Sequence, residues 1–177
     1  MARTVHAVTG GFGYSGLHLA RLLLARGERV RNLTGHPDRP DPFAGAVEVT
    51  RFRFDDPDAM RAALVDVRVL YNTYWVRFDH GASTFARAVE SSRALFRAAA
   101  EAGVERVVHV SITNPAADSP LPYFRGKAVV EAALRESGLS HAILRPAVFF
   151  GGRDVLVNNI AWLLRRLPVF GCSPGEY

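Results

Sequence analysis

The 177-residue sequence predicts an α/β fold, a doubly wound parallel sheet with its strands in the order 3-2-1-4-5-6. Three observations lead there. Short apolar runs alternate with helical patterns along the chain, which implies parallel pairing and right-handed crossovers. The first apolar run, Val5 to Val8, opens into Thr9-Gly10-Gly11-Phe12-Gly13-Tyr14-Ser15-Gly16. Leu17, Ala20, Leu23 and Leu24 then recur at helical spacing, so the order is strand, glycine-rich turn, helix.

The glycines form the pattern GxxGxxG, and each has a physical reason. Gly10 lets the chain turn sharply off the strand. Gly13 lets the backbone approach a pyrophosphate closely, and Gly16 lets the helix pack on the sheet. Free N–H groups at the helix start then face an anion. In this position the triplet is a dinucleotide-binding signal; the alternative is a tight turn that binds nothing.

Gly27 is a plausible stop for the first helix. Arg29 to Leu33 reads as the second strand, and Thr34 to Gly45 as a loop rich in glycine and proline. Val47 to Phe54 is the third strand. Asp56-Pro57 has the form of a helix start, with Asp as N-cap and Pro in the first turn, and that helix runs to about Val65. Val67 to Asn72 is the fourth strand. A loop dense in aromatic residues, Thr73 to Gly81, leads to a long helix from about Ser83 to Ala102. Glu105 to Ser111 is the fifth strand, Tyr123 to Ser137 a helix, and His141 to Leu144 opens a sixth strand. Asp154 to Arg166 is a further amphipathic helix, followed by a strand-like Pro168-Val169-Phe170-Gly171. The division expected is a dinucleotide-binding domain over 1–150 and, over 151–177, the start of a C-terminal substrate region that is missing or truncated.

Close to half the residues are apolar, enough for a sizeable core, yet no uninterrupted apolar run approaches the ~20 residues of a membrane span. No secretory signal is visible. Cys172 is alone, so neither a disulfide framework nor a thiolate metal cluster is expected, and a cytoplasmic setting fits. The chain carries a net charge of +5. Its arginines are scattered along helices and strand ends, which argues against a nucleic-acid partner. A monomer or homodimer acting on a small molecule is expected, with no metal.

Tyr123 and Lys127 stand one helical turn apart, so both side chains lie on one face. A lysine cation at that distance favours the phenolate and lowers the tyrosine pKa from its ordinary value of about 10. Such a pair can give or take a proton at a carbonyl or alcohol. Ser111 and Thr113, at the end of the fifth strand, offer hydroxyls to a substrate oxygen. Tyr71, Tyr74, Trp75 and Phe78 form an aromatic group that either stacks on a ligand or packs the core.

With the glycine turn, Phe54-Asp55-Asp56-Pro57, Tyr123-Phe124-Arg125-Gly126-Lys127 and Leu144-Arg145-Pro146 in this order, the chain resembles the short-chain dehydrogenase/reductase superfamily. The likeness is to its extended and atypical branches, the NAD(P)-dependent epimerase/dehydratase-like proteins, including the branch of the complex I NAD(P)-binding accessory subunit. The resemblance implies a Rossmann-type sheet and an NAD or NADP cofactor. Gly10, Phe12, Gly13 and Tyr14 would offer backbone to the pyrophosphate, with Gly16 behind them. Asp55 would accept from the adenine amine, or only cap a helix. Asn72 and Thr73 would line the ribose and nicotinamide side, Lys127 would bind the nicotinamide ribose and tune Tyr123, and Pro146 would sit beside the carboxamide. The end of the second strand reads Thr34-Gly35-His36, without the acid that NAD-specific members place there. With Arg31, His36 and Arg39 close in sequence, this favours NADP(H). The function implied is an oxidoreductase or epimerase/dehydratase-type enzyme, hydride passing to or from nicotinamide. The alternative is a non-catalytic NAD(P)-binding redox sensor or complex-supporting module.

Overall fold

The computed structural model describes residues 4–81, 83–151 and 154–167. Six strands, β1 (Val5–Thr9), β2 (Arg29–Thr34), β3 (Val47–Arg51), β4 (Val67–Asn72), β5 (Arg106–Val110) and β6 (Ser140–Leu144), form one sheet. The order is β3-β2-β1-β4-β5-β6 and all five pairings are parallel, as the alternation of elements predicts. β1 is central, and the order reverses between it and β4.

Helices α1 (Tyr14–Ala25), α2 (Pro57–Ala63), α3 (Phe85–Glu101) and α4 (Pro122–Glu136) make the crossovers. Met60, Leu95, Phe96, Val130 and Leu134 share one buried cluster with Leu33, Leu70 and Val107, so α2, α3 and α4 cover one face. Ala20 and Leu23 of α1 pack with Val8, Val30 and Val47 on the other. Asp56 caps α2 by accepting from Ala59 N–H at 3.0 Å, with Pro57 in the first turn. Thr84 caps α3 in the same way, so that helix begins at Phe85 rather than Ser83.

Residues up to Ala147 form one unit and Val148 onward another. In the second, α5 (Val155–Arg166) is capped by Asp154 and carries Arg166 over the Trp162 ring. Pro168 to Gly171, expected as a strand, and Cys172 lie outside the described residues. Among the described residues, no helix is long and apolar enough to cross a membrane.

A Cβ at Gly16 would run into the Gly10 carbonyl and stand 2.8 Å from Gly11 Cα, both of them backbone. Neither can swing away as a side chain would. Gly16→Ala should therefore destabilise the protein by about 1–3 kcal/mol, read as a lower urea midpoint. An unchanged midpoint would show that α1 can lift off the turn at no cost.

Candidate functional site

At the exit of β1 the chain turns through Gly10, whose φ of +65° favours glycine. Its N–H donates to Leu33 O at 2.9 Å, and its own carbonyl accepts from Gly13 N–H at 2.8 Å. Gly11 N–H donates to Asn32 Oδ1 at 2.6 Å. Gly10 and Gly13 therefore shape the turn and have no N–H left for a phosphate, which corrects half of the backbone donor set read from the sequence. The donors that remain are those of Phe12 and of the first turn of α1 from Tyr14. That turn has neither an acidic residue nor a side-chain cap. A Cβ at Gly13 would stand 3.1 Å from Gly10 O. Uncapped N–H groups beside glycine positions suit a pyrophosphate.

β1 and β4 are stitched together at the switch point. Thr9 Oγ1 donates to Asn72 Oδ1 at 3.2 Å and accepts from Thr73 N–H at 2.8 Å and Tyr74 N–H at 3.1 Å. Thr73 Oγ1 donates to Thr9 O. Asn72, fully buried, also bonds the His109 ring at 3.2 Å. The Asn72 carboxamide is thus spent inside the protein and is not free for the ribose-lining role expected of it.

At the exit of β2, Thr34 Oγ1 accepts from His36 N–H at 3.0 Å, closing a local turn. Thr34 O accepts from Phe52 N–H at 2.8 Å, which holds the exits of β2 and β3 side by side. Just past Phe52, Arg53 grips Asp55 with both Nε (3.0 Å) and Nη2 (2.7 Å), and this pair keeps the Asp55 carboxyl below its ordinary value. The helix cap is Asp56, not Asp55. Arg31 is not available to a phosphate, because Glu48, Ala63 O and Val65 O occupy its guanidinium.

The helix α4 face holds a second group. Lys127, 3% exposed, donates from Nζ to Val110 O at 3.0 Å and lies 4.5 Å from the centre of the Trp75 ring. Burial pulls its pKa down to about 8, against the opposing charge of Glu131. Glu131, 1% exposed, is gripped by both Nε and Nη2 of Arg145 and by Arg135. Burial would raise its pKa, but these hydrogen bonds prevail and hold it at about 2. Ser111 Oγ is buried without a well-formed hydrogen bond, close enough to Glu131 to favour the ionised form. His109 is buried too, and burial together with Lys127 pushes its pKa down to about 3, so it is neutral.

Tyr123 departs from its expected chemistry. Its ring meets Trp75, Phe85 and Phe124 edge-on, at centre distances of 5.9, 5.7 and 5.6 Å. Burial raises its pKa, and the charge that opposes this is Arg77, not Lys127. The lysine does not prepare a phenolate here. Thr113, half-buried, donates its N–H to Pro146 O at 3.1 Å, extending the β5–β6 register past the strand ends. The aromatic group divides: Tyr71 stacks on His6 and packs against the α1 side, Tyr74 packs on Phe54, Trp75 on Phe85, and Phe78 is exposed.

Asn32, Glu131 and Arg145 carry much of this arrangement without having been read as site residues. Glu131 had a signal, one turn beyond Lys127 on the same helix face. Asn32 had a weaker one, a lone amide between the apolar Val30 and Leu33 of a strand.

A family model described as NAD(P)H-binding matches residues 10–157. The photosystem II assembly factor Ycf39 of Cyanophora paradoxa is 29% identical over 147 residues, covering 82% of this chain and 46% of that protein. Subunit 9 of the mitochondrial NADH dehydrogenase (ubiquinone) 1 alpha subcomplex of Rattus norvegicus is 34% identical over 113 residues, covering 62% of this chain and 30% of that protein. The chain thus spans less than half the length of these two relatives. Among solved structures, the Citrobacter sp. triphenylmethane reductase complexed with NADP(H) superposes with a TM-score of 0.69 at 20% identity, covering 82% of this chain and 50% of that one. That likeness is one of fold.

The Glu131 cluster makes a pH prediction. Its carboxyl is held at about 2 in the folded chain, against 4.5 ordinarily. The stability it contributes is complete above pH ~4.5 and is lost as the pH falls toward 2. Glu131→Gln should be less stable at neutral pH, and its urea midpoint should fall less steeply between pH 5 and 2 than that of the wild type. Parallel acid limbs would show that Glu131 is not the group responsible.

Proposed function

The chain belongs to the NAD(P)H-binding family, and from that membership we propose that it is a nicotinamide-dependent reductase whose cofactor lies across the β1/β4 switch point. The observation that carries this is the uncapped start of α1 above a turn that has no side chain at Gly10, Gly11 and Gly13. Phe12 and Tyr14 N–H groups would hold the pyrophosphate. The paired exits of β2 and β3 would hold the adenosine. The backbone after Asn72, with Pro146, would hold the nicotinamide side. NADP(H) is the preferred form, since no carboxylate stands at Thr34, Gly35 or His36 to repel a 2′-phosphate.

When bound, the nicotinamide supplies the hydride donor or acceptor. The chain's own part is proton delivery and shelter. Tyr123, its pKa raised by burial, holds its proton at neutral pH. A protonated phenol serves as the acid that delivers a proton to a carbonyl oxygen, which is the reductive direction. Trp75, Phe85 and Phe124 surround its ring and limit access of water. Lys127, turned to Val110 O, supplies positive charge from behind this wall.

A second reading has its own observation. Lys127 is sealed and Ser111 is buried, so two of the four residues read as catalytic are withheld from solvent. A chain that binds the dinucleotide and catalyses nothing would tolerate that. Ycf39 is described as an assembly factor.

Tyr123→Phe separates the readings. In a reductase it should lower turnover of carbonyl substrates by about 10²–10⁴-fold and leave the calorimetric Kd for NADPH nearly unchanged. Wild-type turnover in the variant would remove Tyr123 from the mechanism. A wild type that binds NADPH tightly yet reduces nothing across a broad carbonyl panel would establish the binding module instead.

A further inference from the structure

We propose that Arg53, at the exit of β3, is the residue that reads the 2′-phosphate of an NADP-type cofactor. This rests on the dinucleotide reading above and assigns its specificity to a side chain.

The argument starts from what the exit of β2 lacks. Thr34 has its hydroxyl in a local turn with His36 N–H, and Gly35 has no side chain. A Cβ placed on Gly35 would meet only Phe52 O, at 3.8 Å. The space beside the β2 exit is therefore bounded by the β3 exit. The Phe52 N–H to Thr34 O bond fixes the two exits against each other. Phe52 and Phe54 turn into the core, with ring centres 5.2 Å apart, and Arg53 stands between them with its side chain 63% exposed.

Arg53 is also held in place. Asp55 accepts from its Nε and one Nη2 proton, which fixes the guanidinium plane while leaving Nη1 free to donate. A planar fork already oriented loses little entropy on taking a phosphate monoester, and it matches that group's geometry. Asp55 does not cancel the site's charge. Arg87, in the first turn of α3, also favours the ionised Asp55, to a smaller extent than Arg53, so the carboxylate lies in the field of two cations.

The rival cations are weaker candidates. Arg31 is spent on Glu48 and two carbonyls and is only 12% exposed. Arg51 is as exposed as Arg53 but has only a loose 4.0 Å approach to Asp38, so its guanidinium is not oriented in advance. Arg39 lies farther along the loop between β2 and β3 and is the one to test beside Arg53.

The test is calorimetric titration of the wild type, Arg53→Ala, Arg53→Lys and Arg39→Ala with NADPH and NADH, which needs no substrate. Arg53→Ala should weaken NADPH at least tenfold while NADH moves less than twofold, and Arg53→Lys should lie between. The same loss from Arg39→Ala, with Arg53→Ala silent, would move the role to Arg39 and overturn the proposal. Equal weakening of both cofactors by Arg53→Ala would overturn it as well, by making Arg53 an adenine or structural contact. A preference for NADPH that Arg53→Ala leaves intact sinks the assignment alone. A wild type without that preference sinks the cofactor reading together with it.

Discussion

Everything at the mouth of the sheet depends on how the end of β1 is closed. A central strand ends with its polar groups buried, and each must find a partner or carry a desolvation cost. Thr9 settles this with its side chain. One hydroxyl accepts from two successive N–H groups, those of Thr73 and Tyr74, and donates to Asn72 Oδ1. On the other side, Gly10 N–H takes the last carbonyl of the β2 core, Leu33 O. With β2 and β4 both tied to this one point, the chain leaves through a tight turn in which Gly10, Gly11 and Gly13 carry no side chain. The open N-terminus of α1 follows from that exit.

A second constraint lies under α4. Two opposite charges, Lys127 and Glu131, are buried one turn apart. Taking them out of water is costly, and partial exposure of Arg145 and Arg135 offsets some of that cost by holding the carboxylate from the surface side. Glu131 in turn keeps Lys127 from losing its proton altogether, since burial alone would push the lysine further down. The two charges are mutually dependent, and both are tied to the β5–β6 end through Val110 O and Arg145. That cluster fixes where Pro146 and Thr113 stand. The helix that carries Tyr123 is therefore set by an ion pair, while Tyr123 itself is set by rings.

The sheet order and the glycine turn were legible in the sequence because both follow from local rules: apolar periodicity, Asp56-Pro57 as a helix start, and glycine spacing. The use of each polar group was not. Gly10 and Gly13 look like phosphate donors until their N–H groups are followed to Leu33 O and Gly10 O. Asn72 looks free until Thr9 and His109 claim it. Arg31 looks free until Ala63 O and Val65 O do. Each of these bonds joins residues distant in sequence or turns back on the loop itself, and no spacing rule reveals them. Lys127 failed in a related way. Helical spacing puts it on the face of Tyr123, but a long side chain on a shared face can still point elsewhere, and Trp75 and Val110 O drew this one inward.

This inward turn bears on what chemistry the site can run. A phenol activated by an exposed ammonium would serve as a base and favour oxidation of an alcohol. Here the ammonium is about 4.5 Å from an indole ring and bonded to a carbonyl, and the phenol's pKa is raised by burial. The packing thus selects the protonated phenol. Gly126 is part of the same packing, for a Cβ there would stand 3.0 Å from the Trp75 ring, tighter than ordinary contact. A larger residue at 126 would press on that ring and disturb its contact with Lys127. The placing of Lys127 relative to Tyr123 is therefore set less by their helical spacing than by the indole and the carbonyl that hold the lysine.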